Sequence, residues 1–385
     1  MKVAFTYHFN DKDWNGGKNY FASLFNAINL VKPANLQLVF ITGENTLTSL
    51  PEEFPFLEVI RTPLLDRLHP SWLLRQVDLR LFNSDRTRAR FLRKHGIDLL
   101  SHSGYLGQNS GVKTLDWLYD FQFMHLPEFW KAKHLRWIEQ RYRASCNQCD
   151  GVIVSSNSAL EDLNRFAPIS KAPRRVLQFV SNPIKFSQLL SREEISLKYG
   201  LPEKYIYLPN QFWSSKNHRL VIDTLSVLKQ QGLNATVVCT GNTKDGRKPE
   251  YFDALMKYCF NQGVFEQFRV LGMLPYVHTQ ALMAHSHAVL NPSRFEGWST
   301  AVEEAKTFQK PLLLSDIPVH REQAPAFGNF FRVDDPVGLA NLIRDILSRE
   351  YQEINQSNIE ASYQSRLSDF GKTYLNILDQ VMGIP

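Results

Sequence analysis

The run Asn291-Pro-Ser-Arg-Phe-Glu-Gly-Trp-Ser-Thr-Ala-Val-Glu-Glu-Ala-Lys306 decides how this chain reads. Ahead of it, His287-Ala-Val-Leu-Asn291 is an apolar, strand-like segment that empties into a short polar loop with Gly297. A helix opens next. Thr300 can cap it, and Glu303 stands three residues later, the spacing of a capping box. Glu303 thereby has a structural task. Glu296 in the loop and Glu304 about one turn inside the helix are left over, and both can flank one cavity at the helix N-terminus. That end exposes unpaired N–H groups and a partial positive charge, which suits phosphate. Carboxylates repel phosphate, so these two more naturally accept hydrogen bonds from hydroxyl groups. Phosphate plus polyhydroxyl describes a nucleotide sugar.

Seven residues separate Glu296 from Glu304, within "NPSRFEGWSTAVEEAK" and ahead of "KPLLLSDIPVHREQ". A bare pair of Glu at this spacing says little. In this strand–loop–helix setting it resembles the donor-site motif of retaining GT-B fold glycosyltransferases of family four, the glycosyl transferases group 1. The resemblance implies an α/β fold of two Rossmann-like domains facing a cleft, with a C-terminal helix crossing back to the N-terminal domain. It implies an acceptor-side domain over 1–180, a donor domain over 181–366 and the crossing helix over 367–385. It further implies retaining transfer of mannose or another hexose from a nucleoside-diphosphate sugar to a hydroxyl of a glycan or lipid-linked acceptor. Surface polysaccharide or lipopolysaccharide synthesis is the expected setting, with no cofactor beyond the donor. A sugar-nucleotide epimerase on the same fold and a non-catalytic nucleotide-sugar-binding protein are the alternatives.

Length and composition agree with two ordinary domains: 385 residues, 43% hydrophobic and 21% charged, describe a globular chain and not a disordered one. No run approaches the roughly 18 apolar residues of a membrane helix. The opening Met1-Lys-Val-Ala-Phe-Thr-Tyr-His8 turns polar too early for a signal peptide, so the cytoplasm is expected. Cys146 and Cys149 form a Cys-x-x-Cys, but no second pair completes a zinc site, and they follow a basic helical stretch. They read as packing or partly exposed thiols. A formal charge of +6 favours an anionic partner.

Strand-like runs alternate with helical segments throughout, as in a parallel sheet, and Ser181-Asn-Pro183 reads as a linker between two such series. After the first strand, Gly16 and Gly17 precede a helix from about Lys18. They permit close backbone approach to a ligand or simply a tight turn; the resemblance places them against the donor pyrophosphate. Asp11 and Asp13 imitate a metal-binding Asp-x-Asp but have no supporting pattern, so no metal is expected. Arg67 to Lys94 is basic and amphipathic. It is either a helix pair with a solvated basic face or a surface docking on anionic membrane, which would make the protein peripheral on the inner face of the plasma membrane. No nucleic-acid recognition module is present.

The segment Trp117-Leu-Tyr-Asp-Phe-Gln-Phe-Met-His-Leu-Pro-Glu-Phe-Trp130 leaves the end of a strand, where open α/β sheets bind ligands. A lone His is usually structural. The wording resembles an acceptor-side segment of the family, which implies that His125 approaches the donor sugar and that Asp120 lies nearby. Pro209 to His218 follows the first strand of the second series and resembles the family's phosphate-binding stretch. Lys216 matches its lysine, while Asn210 or Gln211 stands where an arginine is usual. Lys244 or Arg247, in the loop after Gly241, is the possible replacement cation. On this reading His125, Lys216 and Glu296 act in catalysis, Glu296 holds sugar hydroxyls and Glu304 the ribose. Gly297, Trp298, Ser299 and Thr300 complete the donor site.

Overall fold

Runs such as Val3-Ala-Phe5 and Leu38-Val-Phe-Ile41 are apolar at every position and buried at every position. That is the pattern of parallel strands covered by helices on both faces. The computed structural model describes residues 1–11, 15–181, 188–323, 328–351 and 356–384. Asp13 and the predicted linker residues Asn182 and Pro183 lie outside them.

The first sheet holds β1 (Lys2–Tyr7), β2 (Gln37–Thr42), β3 (Glu58–Arg61), β4 (Leu99–Ser101), β5 (Lys113–Trp117), β6 (Gly151–Val154) and β7 (Arg174–Val176). Their order is β3-β2-β1-β4-β5-β6-β7. The second holds β8 (Ile206–Leu208), β9 (Val237–Thr240), β10 (Phe268–Gly272), β11 (Ala288–Asn291), β12 (Leu312–Ser315) and β13 (Gly328–Phe331), in the order β10-β9-β8-β11-β12-β13. All neighbouring strands pair in parallel. In each sheet the order reverses once, between β1 and β4 and between β8 and β11. Loops leaving the carboxyl ends of those two strands share a crevice, the usual ligand position of such a sheet. The edge strand β13 escapes the sequence reading because its Gly328-Asn329 opening looks like loop and only Phe331 is fully buried.

Two compact units divide the chain. One is Met1–Phe121, Ala132–Val180 and Arg366–Pro385; the other is Gln122–Lys131 and Ser181–Ser365. The sequence reading put residues 122–131 with the acceptor-side domain, and the structure groups them with the second unit. The cause is local. Arg247 donates to Gln122 Oε1 at 3.1 Å, and Lys248 lies 4.6 Å from the Phe129 ring. In the first unit the Gln356–Met382 helix contributes Phe370, Tyr374 and Leu378, all buried, from Arg366 onward. Tyr374 donates to Ser101 Oγ at 2.9 Å. A Cβ on Gly371 would stand 2.5 Å from the Ala27 carbonyl oxygen, so glycine lets this helix lie backbone-close to the helix Asn15–Val31.

Two expectations change in the first unit. Gly16 and Gly17 do not precede a helix; they form the first turn of Asn15–Val31, and a Cβ at Gly16 would meet nothing within 4 Å. The Arg67–Lys94 segment is not uniformly an outward basic face. It forms the helices Pro70–Phe82 and Arg86–Lys94, and Arg75 and Arg88 turn inward to the buried Asp85. Asp11 is bound to Lys18 at 3.0 Å and accepts from the Ser49 backbone N–H, a structural pairing. Cys146 and Cys149 are buried free thiols, and burial pushes Cys146 up to about 11, which leaves it unreactive.

Candidate functional site

The loops after β8 and β11 meet at the switch point of the second sheet. After β8 the chain makes a short helical turn, Ser214–Lys216, closed by Asn217 in the left-handed region at φ 59°. Asn217 anchors the turn by donating to the Val333 carbonyl at 2.9 Å. Lys216 extends from it, and its Nζ stands 2.5 Å from Glu296 Oε1 in the loop after β11.

Asn291, the last residue of β11, ties these loops together. Its Oδ1 accepts from Asn210 at 3.0 Å, and its Nδ2 donates to Ser299 Oγ at 2.9 Å. The Ser293 hydroxyl lies 2.6 Å from Asn291 Oδ1 and 2.7 Å from Glu296 Oε1, so one proton serves either acceptor. Burial alone would raise the Glu296 pKa. The Lys216 charge and hydrogen bond, with Ser293, outweigh it and hold this carboxyl below the usual range. Glu296 is ionised, and its contacts all fall on Oε1.

The helix Thr300–Thr307 is capped one residue earlier than expected. Ser299 is the N-cap, accepting from the Val302 N–H at 3.3 Å, and Thr300 is the first helical residue. That register moves Glu303 out of the capping-box position. Its buried carboxylate instead binds Lys306 Nζ at 2.8 Å and Gln323 Nε2 at 3.0 Å. Gln323 also takes the Ser299 backbone N–H at 3.1 Å, so that amide, expected to face the donor, is already committed. Gly297 and Trp298 are partly exposed in the same loop, and Lys306 Nζ lies 5.9 Å from the Trp298 ring.

Glu304 points to the other side of the helix. Its Oε1 accepts from the hydroxyls of Tyr276 at 2.9 Å and Ser181 at 3.2 Å. Among the described residues no cation pairs with it. Burial pushes its pKa up to about 7, against the smaller opposing effect of its hydroxyl partners. Gln280 is fully buried near it and its amide helps to lower that pKa, although neither amide atom makes a hydrogen bond of full geometry. Ser181, Tyr276, Gln280 and Ser293 were not singled out in the sequence, since nothing in their local wording separates them from ordinary polar residues.

The remaining predicted residues divide. His125 is exposed and its ring centre lies 4.9 Å from that of Phe295, next to Glu296. Asp120 belongs to the first unit, where its backbone carbonyl accepts from Tyr142 at 3.2 Å. Asn210 and Gln211 act as braces: Gln211 Oε1 accepts from the Asn242 N–H at 2.6 Å. Gly241 has φ 142°, and a Cβ there would fall 2.3 Å from the Asn210 carbonyl oxygen, so only glycine fits. Arg247 is held by Asp245 at 3.1 Å and lies 4.9 Å from the Trp213 ring. Lys244 is exposed, and its backbone N–H bonds Asn242. Arg294, inside the motif itself, was overlooked; its guanidinium is exposed and reaches Asn217 Oδ1 only at 3.4 Å. Among the described residues no three His, Cys, Asp or Glu side chains are grouped to hold a metal ion.

The arrangement therefore offers one cation for an anion, a fixed carboxylate beside it and a helix start, with a second carboxylate among hydroxyls. Residues 191–365 match the family model described as glycosyl transferases group 1. No curated protein matches the chain in sequence. Among solved structures, the chain is similar to sucrose-phosphate synthase from Thermosynechococcus elongatus, with TM-score 0.68 at 15% identity, covering 100% of both chains. It is similar to Anabaena HepE in complex with UDP and glucose, with TM-score 0.67 at 15% identity, covering 99% of this chain and 100% of that one. It is also similar to WaaG, a glycosyltransferase involved in lipopolysaccharide biosynthesis, with TM-score 0.59 at 16% identity over 96% and 95%. Such likenesses show a common fold.

Proposed function

We propose, from the premise that this chain is a glycosyltransferase of the GT-B fold whose second unit carries a glycosyl transferases group 1 domain, that it moves a hexose from a nucleoside-diphosphate sugar to a hydroxyl of a glycan or lipid-linked acceptor. The observation that carries this reading is the Lys216–Glu296 pair at the β8/β11 switch point, held by Asn291 and Ser293. Negative charge builds on the departing diphosphate. Lys216 and the helix opening at Thr300 meet it electrostatically, without a metal. As the diphosphate arrives, Lys216 exchanges Glu296 for phosphate oxygen, and Glu296 turns its acceptor capacity to a sugar hydroxyl. Glu304 accepts from the ribose, and His125 lies against the sugar from the Phe295 side. Retention follows if the leaving phosphate deprotonates the acceptor on the same face, so no protein base is assigned.

UDP-hexoses head the donor candidates, because HepE is described in complex with UDP and with UDP-glucose. A thermal-shift screen of UDP-, GDP-, ADP- and dTDP-sugars tests the reading. At about 100 times Kd the right donor adds roughly 2.7 kcal/mol of stability; stabilisation by none of them would refute it. Activity should survive EDTA, and loss restored by Mg²⁺ would overturn the metal-free mechanism.

A role in surface polysaccharide or lipopolysaccharide synthesis, at the cytoplasmic face of the membrane, fits the outward side of the helix Pro70–Phe82. It shows Leu73, Leu74, Val77 and Leu81 to solvent, with Arg67 and Arg80 exposed beside them. No helix of the described residues is long and apolar enough to cross a membrane. An apolar stripe edged by arginine suits insertion into an anionic leaflet, each basic residue adding about 1 kcal/mol. Leu74→Asp with Leu81→Asp should abolish sedimentation with anionic vesicles; unchanged sedimentation would remove the membrane from this account.

A further inference from the structure

The first unit has a switch point of its own, between β1 and β4, and the loops leaving those strands open on a cavity of 1360 Å³. Its charge does not balance. Among the described residues Asp85, fully buried, is the one carboxylate in the wall, and it faces two buried guanidiniums. Arg75 Nη2 lies 2.8 Å and Arg88 Nε 3.0 Å from Asp85 Oδ2. The other donors of these arginines go to neutral carbonyls, those of Leu64, Ser103 and Tyr105. These two guanidiniums thus outnumber the carboxylate they share, and the buried Asp116, whose field also reaches Arg88, is itself faced by Arg141, an arrangement that costs free energy until an anion offsets it. Arg141 adds a further guanidinium, only loosely matched by Asp116 at 3.8 Å.

A second recess of 720 Å³ shares Asn83, Asn147 and Gln148 with the first, and no carboxylate lines it among the described residues. Arg86, Arg90 and Arg93 line it from one face of the Arg86–Lys94 helix, at i, i+4 and i+7, and Lys171 lines it too. Arg93 is partly committed, donating to the Ser110 carbonyl. Among the described residues no carboxylate pairs with Arg86, Arg90 or Lys171. The larger cavity supplies the complementary surface. Trp72, Tyr105 and Trp137 present flat rings suited to the C–H faces of a pyranose, and Gln76 and Gln140 present amides suited to its hydroxyls.

We propose that the first unit binds an acidic saccharide, with its sugar rings in the larger cavity and a phosphate or carboxylate group in the recess of Arg86, Arg90 and Lys171. Naming this ligand the acceptor rests on the glycosyl-transfer reading above; the binding itself does not. The anion supplies the acidic partner that Arg86, Arg90 and Lys171 lack among the described residues, and these side chains hold it by charge-assisted hydrogen bonds. Neutral glycans leave the excess charge uncompensated and bind poorly.

Thermal shift on the full chain tests this with glucose 6-phosphate, glucuronate and glucose as probes. Three proteins are compared: wild type, Lys216→Gln, and the combined Arg86→Gln, Arg90→Gln and Lys171→Gln variant. Saturable stabilisation by the two acidic sugars, and none by glucose, is expected for wild type and for Lys216→Gln. The combined variant should lose that shift yet keep the shift given by a nucleotide sugar, which shows that it is folded. Equal shifts with glucose, or an acidic-sugar shift that survives in the combined variant, would overturn the proposal. So would binding of phosphatidylglycerol vesicles, lost in the combined variant, with no response to soluble acidic sugars; the recess would then be a lipid headgroup site. If acidic sugars bind and no nucleotide sugar does, the glycosyl-transfer reading fails and the saccharide site stands.

Discussion

The loop before the helix Thr300–Thr307 and the second turn of that helix each hold one glutamate, and the fold treats them in opposite ways. Glu296 and Glu304 are both anchored through Oε1. Glu296 faces an ammonium and is kept ionised; Glu304 faces hydroxyls and the Gln280 amide, with no cation among the described residues, and is pushed up to about 7. Identical side chains therefore do different work. A carboxylate beside a diphosphate needs a permanent counter-charge, which Lys216 supplies. A carboxylate that meets neutral hydroxyls can dispense with one, and its charge then depends on pH near neutrality.

The sharpest way to break this contrast is Lys216→Ala. The rate of sugar transfer should fall by about 10²–10³-fold, as when a group facing developing negative charge is lost, with steady-state kinetics as the readout. A loss below about tenfold would deny Lys216 that role. Next in size is Glu303→Ala, the control between the two glutamates. Lys306 and Gln323 lose a buried partner, and chemical unfolding should show a loss of about 3 kcal/mol, while nucleotide affinity changes little. If affinity collapses with stability intact, the helix register is misassigned.

Glu304→Gln sharpens the other half. The folded pKa, about 7, lies above the ordinary carboxyl value of 4.5. Between those values the folded chain keeps a proton that the unfolded chain has released, so this group's contribution to stability falls as pH rises through that window and stays low above it. Gln imitates the protonated form. It should stabilise by roughly 3 kcal/mol at most near pH 8 and by nothing near pH 4, in melts across pH. Wild-type nucleotide affinity should rise with pH through about 7, and the substitution should cost about tenfold in affinity, or roughly 1.4 kcal/mol. A flat pH profile would remove the carboxylate from ribose binding. The smallest expected effect is Ser299→Ala, about 1 kcal/mol from the lost cap, against less than about 0.5 kcal/mol for Thr300→Ala; the reverse order would restore Thr300 as the cap.

What could be read in the sequence follows how local each cause is. The strand–loop–helix around Glu296 is written in one continuous stretch, so its architecture and the leftover glutamates are legible there. The cap is displaced by one residue because Ser299 and Thr300 are both good caps, and only Gln323, braced against Ser299 from another helix, decides between them. The link from Lys216 to Glu296 crosses two loops and rests on the switch point, which strand order creates. Arg75 and Arg88 read as surface charge because Asp85, which turns them inward, counts in the sequence as one acid among many bases. Tyr276, Ser181 and Gln280 gather at Glu304 from three separate segments, and no spacing announces such a meeting.

The helix that places Gly371 against Ala27 also bears on the order of events during synthesis. Residues 366 onward complete the first unit, and Tyr374 is fully buried there, bonded to Ser101. A nascent chain that has passed Val180 therefore still lacks part of its first core, whereas the second unit has all its strands once residue 331 has emerged. Translation runs from the first unit to the second, but completion runs the other way. The earliest-made sheet waits, with the Ala27 side of its first helix uncovered, until the stretch around Gly371 leaves the ribosome and closes it.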